Sequence, residues 1–208
     1  MDAATRAESI PMTQPARRCW GTGDPLMEAY HDLEWGTPVH DDQLLFEHLV
    51  LDGFQAGLSW RTILHKRENF RRAFGGFEID RVAGYGVRDI LRLMSDAGIV
   101  RNRQKIEAAI GNARACLEII DKDGSLDAFL WSFTSGTTAY GPAARNWAQV
   151  RSTSPESDAL SKALQARGFR FTGSTICYAF MQAVGIIDDH RIGCFRYHPR
   201  SQRGRKRD

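Results

Sequence analysis

The 208 residues are 42% hydrophobic and 25% charged, which suits one soluble domain with a real core and argues against a disordered chain. No stretch approaches the roughly 18 apolar residues that span a bilayer, and residues 1–16 lack the apolar segment of a signal peptide, so a cytoplasmic protein with a loose, disordered N-terminal tail is expected. The net charge of +3 is unevenly spread: Arg200, Arg203, Arg205, Lys206 and Arg207 crowd residues 198–208, leaving the rest nearly neutral, so attraction to a polyanion must come from this basic tail or from local clusters.

In chain order the pattern reads as all-α. Asp41 and Asp42 open the run LLFEHLVLDGF, whose apolar positions recur at three and four. A second helix is expected over 60–74, stopping at Gly75 and Gly76. Short helices follow near 78–84 and 87–96. A longer one over 103–120 keeps Ile106, Ala109, Ile110, Ala113 and Leu117 on one side. After a short apolar segment at 125–133, residues 134–154 are rich in Gly, Ser, Thr and Pro and read as a loop. Ser157 begins a helix that ends at Gly168 with Arg167 in its last turn, as the helix dipole favours. A final buried helix runs over 172–184. No strand alternation and no fixed-period repeat is visible. One domain over 17–197 is expected between the two tails.

Between the helices at 87–96 and 103–120 lies DAGIVRNRQK. A short apolar turn containing Gly98 enters a helix whose start carries Arg101, Arg103 and Lys105. Unpaired N–H groups and the helix dipole make such a start an anion site, and the arrangement looks like a helix-hairpin-helix motif near 87–115 that grips a DNA phosphate without reading sequence. A glycine turn between two helices is also common as plain architecture.

Four cysteines without close paired spacing fit a reducing compartment. Cys19 precedes His31 by twelve positions, and His190 and Cys194 are four apart. Two sulfurs and two imidazoles are what a structural tetrahedral zinc takes, and such an ion would clip the chain ends together. The alternative is a buried Cys194 with His190 capping a helix. Cys116 and Cys177 read as core.

The stretch LDGFQAGLSW places Asp52 on the face shared by Leu45 and Leu49, where a core residue is expected. Asp52 either caps backbone near the helix end or serves a site built with Gly57, Leu58 and Trp60.

Four segments together, DPLMEAYHDLEWG, LDGFQAGLSW, DAGIVRNRQKIEAAIGNAR and GSTICYAFMQAVGIIDDHRIGC, resemble the DNA-3-methyladenine glycosylase I family from Cys19 to Cys194. That resemblance implies a helix-hairpin-helix DNA glycosylase fold. It implies a monofunctional enzyme that flips 3-methyladenine out of alkylated duplex DNA and hydrolyses its glycosidic bond. It also implies a structural zinc held by Cys19, His31, His190 and Cys194. In the pocket it assigns Tyr30 and Asp52 to the base edge, Trp60 and Trp20 to stacking, and Gly57 and Leu58 to the gap left in the duplex. Two positions depart from the family pattern. Asp52 stands where a glutamate is expected, its carboxylate withdrawn by about 1.5 Å, and Met27 stands where a pocket tyrosine is expected. These departures leave a catalytically impaired damage-binding module as the second reading. A zinc hydrolase is a third, and it needs an open metal position. Trp35, Trp131 and Trp147 are expected to pack, and Lys66 and Arg67 to be surface charges. Ser174 and Thr175 are expected to cap the last helix, with a phosphate contact as the alternative. Nothing suggests more than a monomer.

Overall fold

A computed structural model describes residues 17–199; the N-terminal tail and all but the first two residues of the basic C-terminal tail lie outside the described residues. Within this span the regular structure is almost wholly helical. The first helix, α1 (Pro25–Leu33), was not anticipated. Asp24 Oδ1 accepts from the N–H of Leu26 and Met27 at 3.1 and 3.3 Å, and Pro25 opens the first turn, where its missing N–H costs nothing.

Helix α2 (Asp42–Gln55), capped by Asp41, is the central element: residues from Leu45 to Phe54 are all buried, polar Glu47, His48 and Asp52 included, so it is covered all round rather than on one side. It ends at Ala56, and Gly57 turns the chain with φ +78°, a left-handed conformation that glycine adopts without strain. The single helix expected over 60–74 is two, α3 (Trp60–Leu64) and α4 (Arg67–Ala73). The break falls at His65 and Lys66, whose side chains are bonded elsewhere: His65 Nε2 to Asp24 Oδ2 at 2.8 Å, and Lys66 Nζ to the carbonyls of Ala97 and Gly98 at 3.2 and 3.1 Å. Lys66 is thus a latch rather than a free surface charge.

Helices α5 (Ile79–Ala83) and α6 (Val87–Ser95) lead through the turn at 96–102 into α7 (Arg103–Asp123), the longest element, capped by Asn102 and stopped by Gly124 at φ +89°. After α8 (Leu126–Trp131), the segment 134–154 is a loop as expected, except that Ala139–Tyr140 pairs in parallel with Ile187–Asp188, a bridge too short to show alternation in sequence. Helix α9 (Pro155–Ala166) begins before Ser157, because Ser154 is the cap and Ser157 returns a bond to it; α10 (Ser174–Ala183) packs on α9 and α2. Ser174 bonds Asp158 and provides no cap to α10. One large apolar core joins α2, α4, α5, α7, α8, α9 and α10. A smaller cluster of Cys19, Tyr30, Trp35, Leu64, Ala183 and Cys194 lies where the two ends of the described chain meet.

Candidate active site and metal centre

Asp52 follows the last turn but one of α2, and its side chain lines a cavity of about 320 Å³ between α1, α2, α3 and α10. It is 4% exposed, and its Oδ2 has no hydrogen-bond partner. Burying an unpaired carboxylate favours its neutral form, so the Asp52 carboxyl is held well above the usual carboxylate range, with Arg67 pulling weakly the other way. Arg67 has little to give. Expected at the surface, it is instead buried, its guanidinium bonded to Glu47 Oε1 and Glu34 Oε2, both at 2.5 Å.

The cavity walls are aromatic. Tyr30 on α1 and Trp60 at the start of α3 lie 5.2 Å apart between ring centroids, and Trp20 lies 5.9 Å from Tyr30. The Trp60 Nε1–H is buried without an acceptor, so the cavity joins an unsatisfied donor and an unsatisfied acceptor, as pockets awaiting a polar ligand do. Burial, and then the charge of Asp52, push the Tyr30 phenol well above its ordinary value, keeping it a protonated donor. Met27 lines the same cavity, leaving its wall flexible where the resemblance implied a tyrosine.

Trp147 and Gln182 escaped the sequence reading, and Ala179 and Ala183 of α10 line the cavity beside them. Trp35 packs as expected, buried in the cluster with Cys19, Tyr30 and Cys194, and also lines the cavity; Trp147, expected to pack, is 48% exposed and faces the cavity, as does Gln182 on α10. Trp131 does pack: it is buried, and its Nε1 donates to Val39 O at 2.9 Å. Trp147 comes from the irregular 134–154 segment, which carries no periodicity to place it, and it is held by the Arg191 guanidinium 4.6 Å from its ring. Gln182 Nε2 donates to Asp189 Oδ2 at 2.7 Å, and Tyr178 donates to the same oxygen at 2.5 Å. Because a carboxylate only accepts, this fixes which way the Gln182 amide is turned.

Beside the cavity mouth, Gly57 and Leu58 form an exposed turn, Leu58 being 42% exposed although apolar. Gly98 stands in the α6–α7 turn, where a Cβ would come within 3.1 Å of the Asn69 side chain. Arg101 is exposed, and Arg103 is exposed with Glu107 as its partner at 3.2 Å. Lys105 corrects the sequence expectation. It is 7% exposed and turned inward, its Nζ donating to Phe54 O at 2.8 Å and Ala56 O at 2.5 Å, so its charge does not face outward with those of Arg101 and Arg103.

Cys19, His31, His190 and Cys194 are all buried, and their donor atoms lie within 4.8 Å of one another. Three separations are resolved: Cys19 Sγ to His190 Nδ1 at 3.6 Å, Cys194 Sγ to His31 Nε2 at 3.5 Å and Cys194 Sγ to His190 Nδ1 at 3.7 Å. A tetrahedral ion with bonds of about 2.0–2.3 Å has edges of about 3.3–3.8 Å, so the set fits zinc. His190 and Cys194 reach it from a loop, not from a helical turn. The remaining imidazole nitrogens are held from behind: His31 Nδ1 by Asp32 Oδ1 at 2.8 Å and His190 Nε2 by Trp35 O at 3.2 Å. Such outer partners fix tautomer and orientation in metal sites. Cys116 and Cys177 are buried apart from this group, and burial pushes both thiols up.

Residues 20–197 match the family model described as methyladenine glycosylase. The chain belongs to the methyladenine glycosylase family. Among its relatives is DNA-3-methyladenine glycosylase 1 of Escherichia coli (strain K12), 49% identical over 181 residues, which are 86% of this chain and 96% of that one. A crystal structure of a 3-methyladenine DNA glycosylase I is 48% identical and superimposes with a TM-score of 0.83, covering 88% of this chain and all of that one. Another, of a substituted form in complex with 3-methyladenine, is 37% identical with a TM-score of 0.81, covering 85% and 94%. The fold that carries the aromatic cavity, the buried acid and the Cys/His cluster of this methyladenine glycosylase family member is the one seen in those structures.

Proposed function

We propose that this chain is a base-excision glycosylase that removes 3-methyladenine from alkylated double-stranded DNA. The unpartnered, buried Asp52 carboxyl set among indole and phenol rings carries this reading. While joined to the sugar, 3-methyladenine is cationic, and aromatic faces attract a cation by roughly 0.5–2 kcal/mol per contact. The flipped base stacks against Trp60, Tyr30 and Trp20, with Met27 filling the remaining wall, and its charge brings Asp52 to the carboxylate form. Neutral adenine gains neither interaction, and flipping it costs the same few kcal/mol of stacking and pairing. Leu58 and Gly57 enter the gap left in the duplex. The α6–α7 turn with Gly98, Arg101 and Arg103 serves as a helix-hairpin-helix grip on a phosphate, since the N–H groups of the first turn of α7 have no intrahelical acceptor.

The reaction is hydrolysis. Water oxygen bonds the sugar C1′ and gives up one proton to solvent, the C1′–N bond electrons pass to the base and neutralise it, and an abasic deoxyribose with a C1′ hydroxyl remains. The cationic leaving group already weakens that bond, so selective binding and stabilisation of the developing oxocarbenium sugar by Asp52 supply most of the catalysis. No lysine lines the cavity among the described residues, which favours a monofunctional enzyme over Schiff-base lyase chemistry. A structural zinc on Cys19, His31, His190 and Cys194 would tie the N-terminal segment bearing Trp20 and Tyr30 to the loop bearing Arg191, the neighbour of Trp147. Four protein ligands leave such an ion no open position for hydrolytic chemistry. The chain acts as a monomer.

The test is chromatography of bases released from methylated duplex. Free 3-methyladenine with unbroken strands is expected; retained duplex binding without base release would favour the damage-binding reading instead.

A further inference from the structure

Lys105 is the one basic residue at the start of α7 that the phosphate grip does not use, and its surroundings suggest another task. Its Nζ reaches the carbonyls of Phe54 and Ala56, the last of which is the C-cap of α2. Those carbonyls lack helical partners where α2 stops, and an ammonium with three donors suits two of them at once. The turn they belong to is otherwise held only by local bonds: Ala56 N–H to Gly53 O at 3.4 Å and Leu58 N–H to Gln55 O at 2.6 Å. The residues it presents, Gly57 and Leu58, are exposed, and a Cβ added at Gly57 would meet nothing within 4 Å. On the far side of Lys105 lies Phe171, 5.9 Å below the ammonium, at a left-handed φ of +57° that a phenylalanine adopts only under constraint. Its neighbour Arg170 is pinned by Asn112, two turns further along α7, through bonds of 2.9 and 3.0 Å. Helix α7 thus braces two irregular segments from one face.

We propose that Lys105 is a positioning residue that couples the duplex-inserting turn at 56–58 to the phosphate-gripping start of α7. Resting on the function proposed above, this makes grip and wedge one rigid unit. A phosphate seated at Arg101 and Arg103 fixes, through Lys105, where Leu58 meets the base stack. Burial lowers the Lys105 pKa, and the Phe54 and Ala56 carbonyls accept from its ammonium.

The test uses the full chain and Lys105→Met in three measurements: single-turnover release of 3-methyladenine from methylated duplex, binding of free 3-methyladenine followed by tryptophan fluorescence, and the salt dependence of binding to undamaged duplex. Release is expected to fall at least about tenfold, as misplacement near a reacting centre does. Free-base affinity and the salt slope are expected to stay unchanged. Leu58→Ala should also slow release, and adding Lys105→Met to it should cost much less than in the native chain, because both act through the same turn. A salt slope reduced by about one would place Lys105 on a phosphate and overturn the proposal. So would a free-base affinity that falls in step with release, or losses that multiply in the double variant. If Lys105→Met does not fold, Lys105→Arg serves, since the larger planar guanidinium does not fit the compact ammonium's buried place against both carbonyls; unchanged release in that variant would likewise overturn the proposal. Failure of the native chain to release 3-methyladenine would count against the function proposed above, not against this coupling.

Discussion

Arg67 is the charge that draws Asp52 toward ionisation, yet its guanidinium is already committed to Glu34 and Glu47. Asp52 is therefore left without a counter-ion inside the protein, and a cationic base can supply the one that is missing. This pairing of a spent arginine with an unpaired acid underlies the selectivity proposed here.

A dependence of stability on pH follows. The folded-state pKa of Asp52 is raised above its unfolded value of about 3.8, so the folded protein holds a proton that the unfolded chain gives up. Stability is fully present below the unfolded pKa and falls as pH rises toward the folded one. Asp52→Asn has no such proton to lose. Thermal melts of the two proteins should coincide near pH 4, with the variant progressively the more stable toward neutrality. A constant difference across that range would mean that Asp52 is compensated in the fold.

The Arg67 network itself is structural. Glu47 is 3% exposed and accepts from both Arg67 and Arg71. Glu47→Gln removes its charge and leaves a buried arginine short of an anion, at a cost of about 3 kcal/mol or more. For a chain of this size that lowers Tm by roughly 6–12 °C. His48, whose pKa burial and then Arg67 and Arg71 push down from 6.5 to about 3, stays neutral in the folded protein while the unfolded chain protonates it, so it should withdraw stability as pH falls below about 6.5.

Trp60→Ala should weaken binding of free 3-methyladenine by about 1–3 kcal/mol, the usual value of one base–aromatic stack. Trp147→Ala should weaken it less and leave Tm unmoved, because that ring is half exposed and packs chiefly on Arg191. Calorimetric titration of both variants separates the two roles, and equal losses would require a ring arrangement different from the one described.

The purified protein should carry one equivalent of zinc by elemental analysis. Cys194→Ala and His31→Ala should each lose it, with a melting point lower by about 10 °C, as loss of a structural metal entails. Full stability in the metal-free protein would leave the four residues as packing alone.

Much of this was legible in the sequence because it lies in elements with strong local signals. The apolar-patterned run of α2 with Asp52 on its core face, the glycine that ends it, and the soft ligands near both ends were visible before any fold was known. What escaped depended on where side chains turn once the chain has folded. Arg101, Arg103 and Lys105 look alike in the sequence, but helical geometry carries Lys105 inward to the open carbonyls of α2. Arg67 resembled a surface charge until Glu34 and Glu47, from two other helices, closed around it. Trp147 and Gln182 reach the cavity from a loop and a helix whose patterns speak only of irregularity and burial. The break at His65 and Lys66 was hidden because both are good helix residues locally; their long-range bonds to Asp24 and to the α6–α7 turn decide the matter.

The central claim is that a buried acid on a short arm reads the cationic base. Single-turnover release of 3-methyladenine from methylated duplex, compared between the native chain and Asp52→Asn at pH 7, tests it most directly. Release by the native chain that falls about a hundredfold or more in the variant, as loss of one preorganised electrostatic group does, is the predicted result. Equal release from both would contradict the account and leave excision to stacking and desolvation alone.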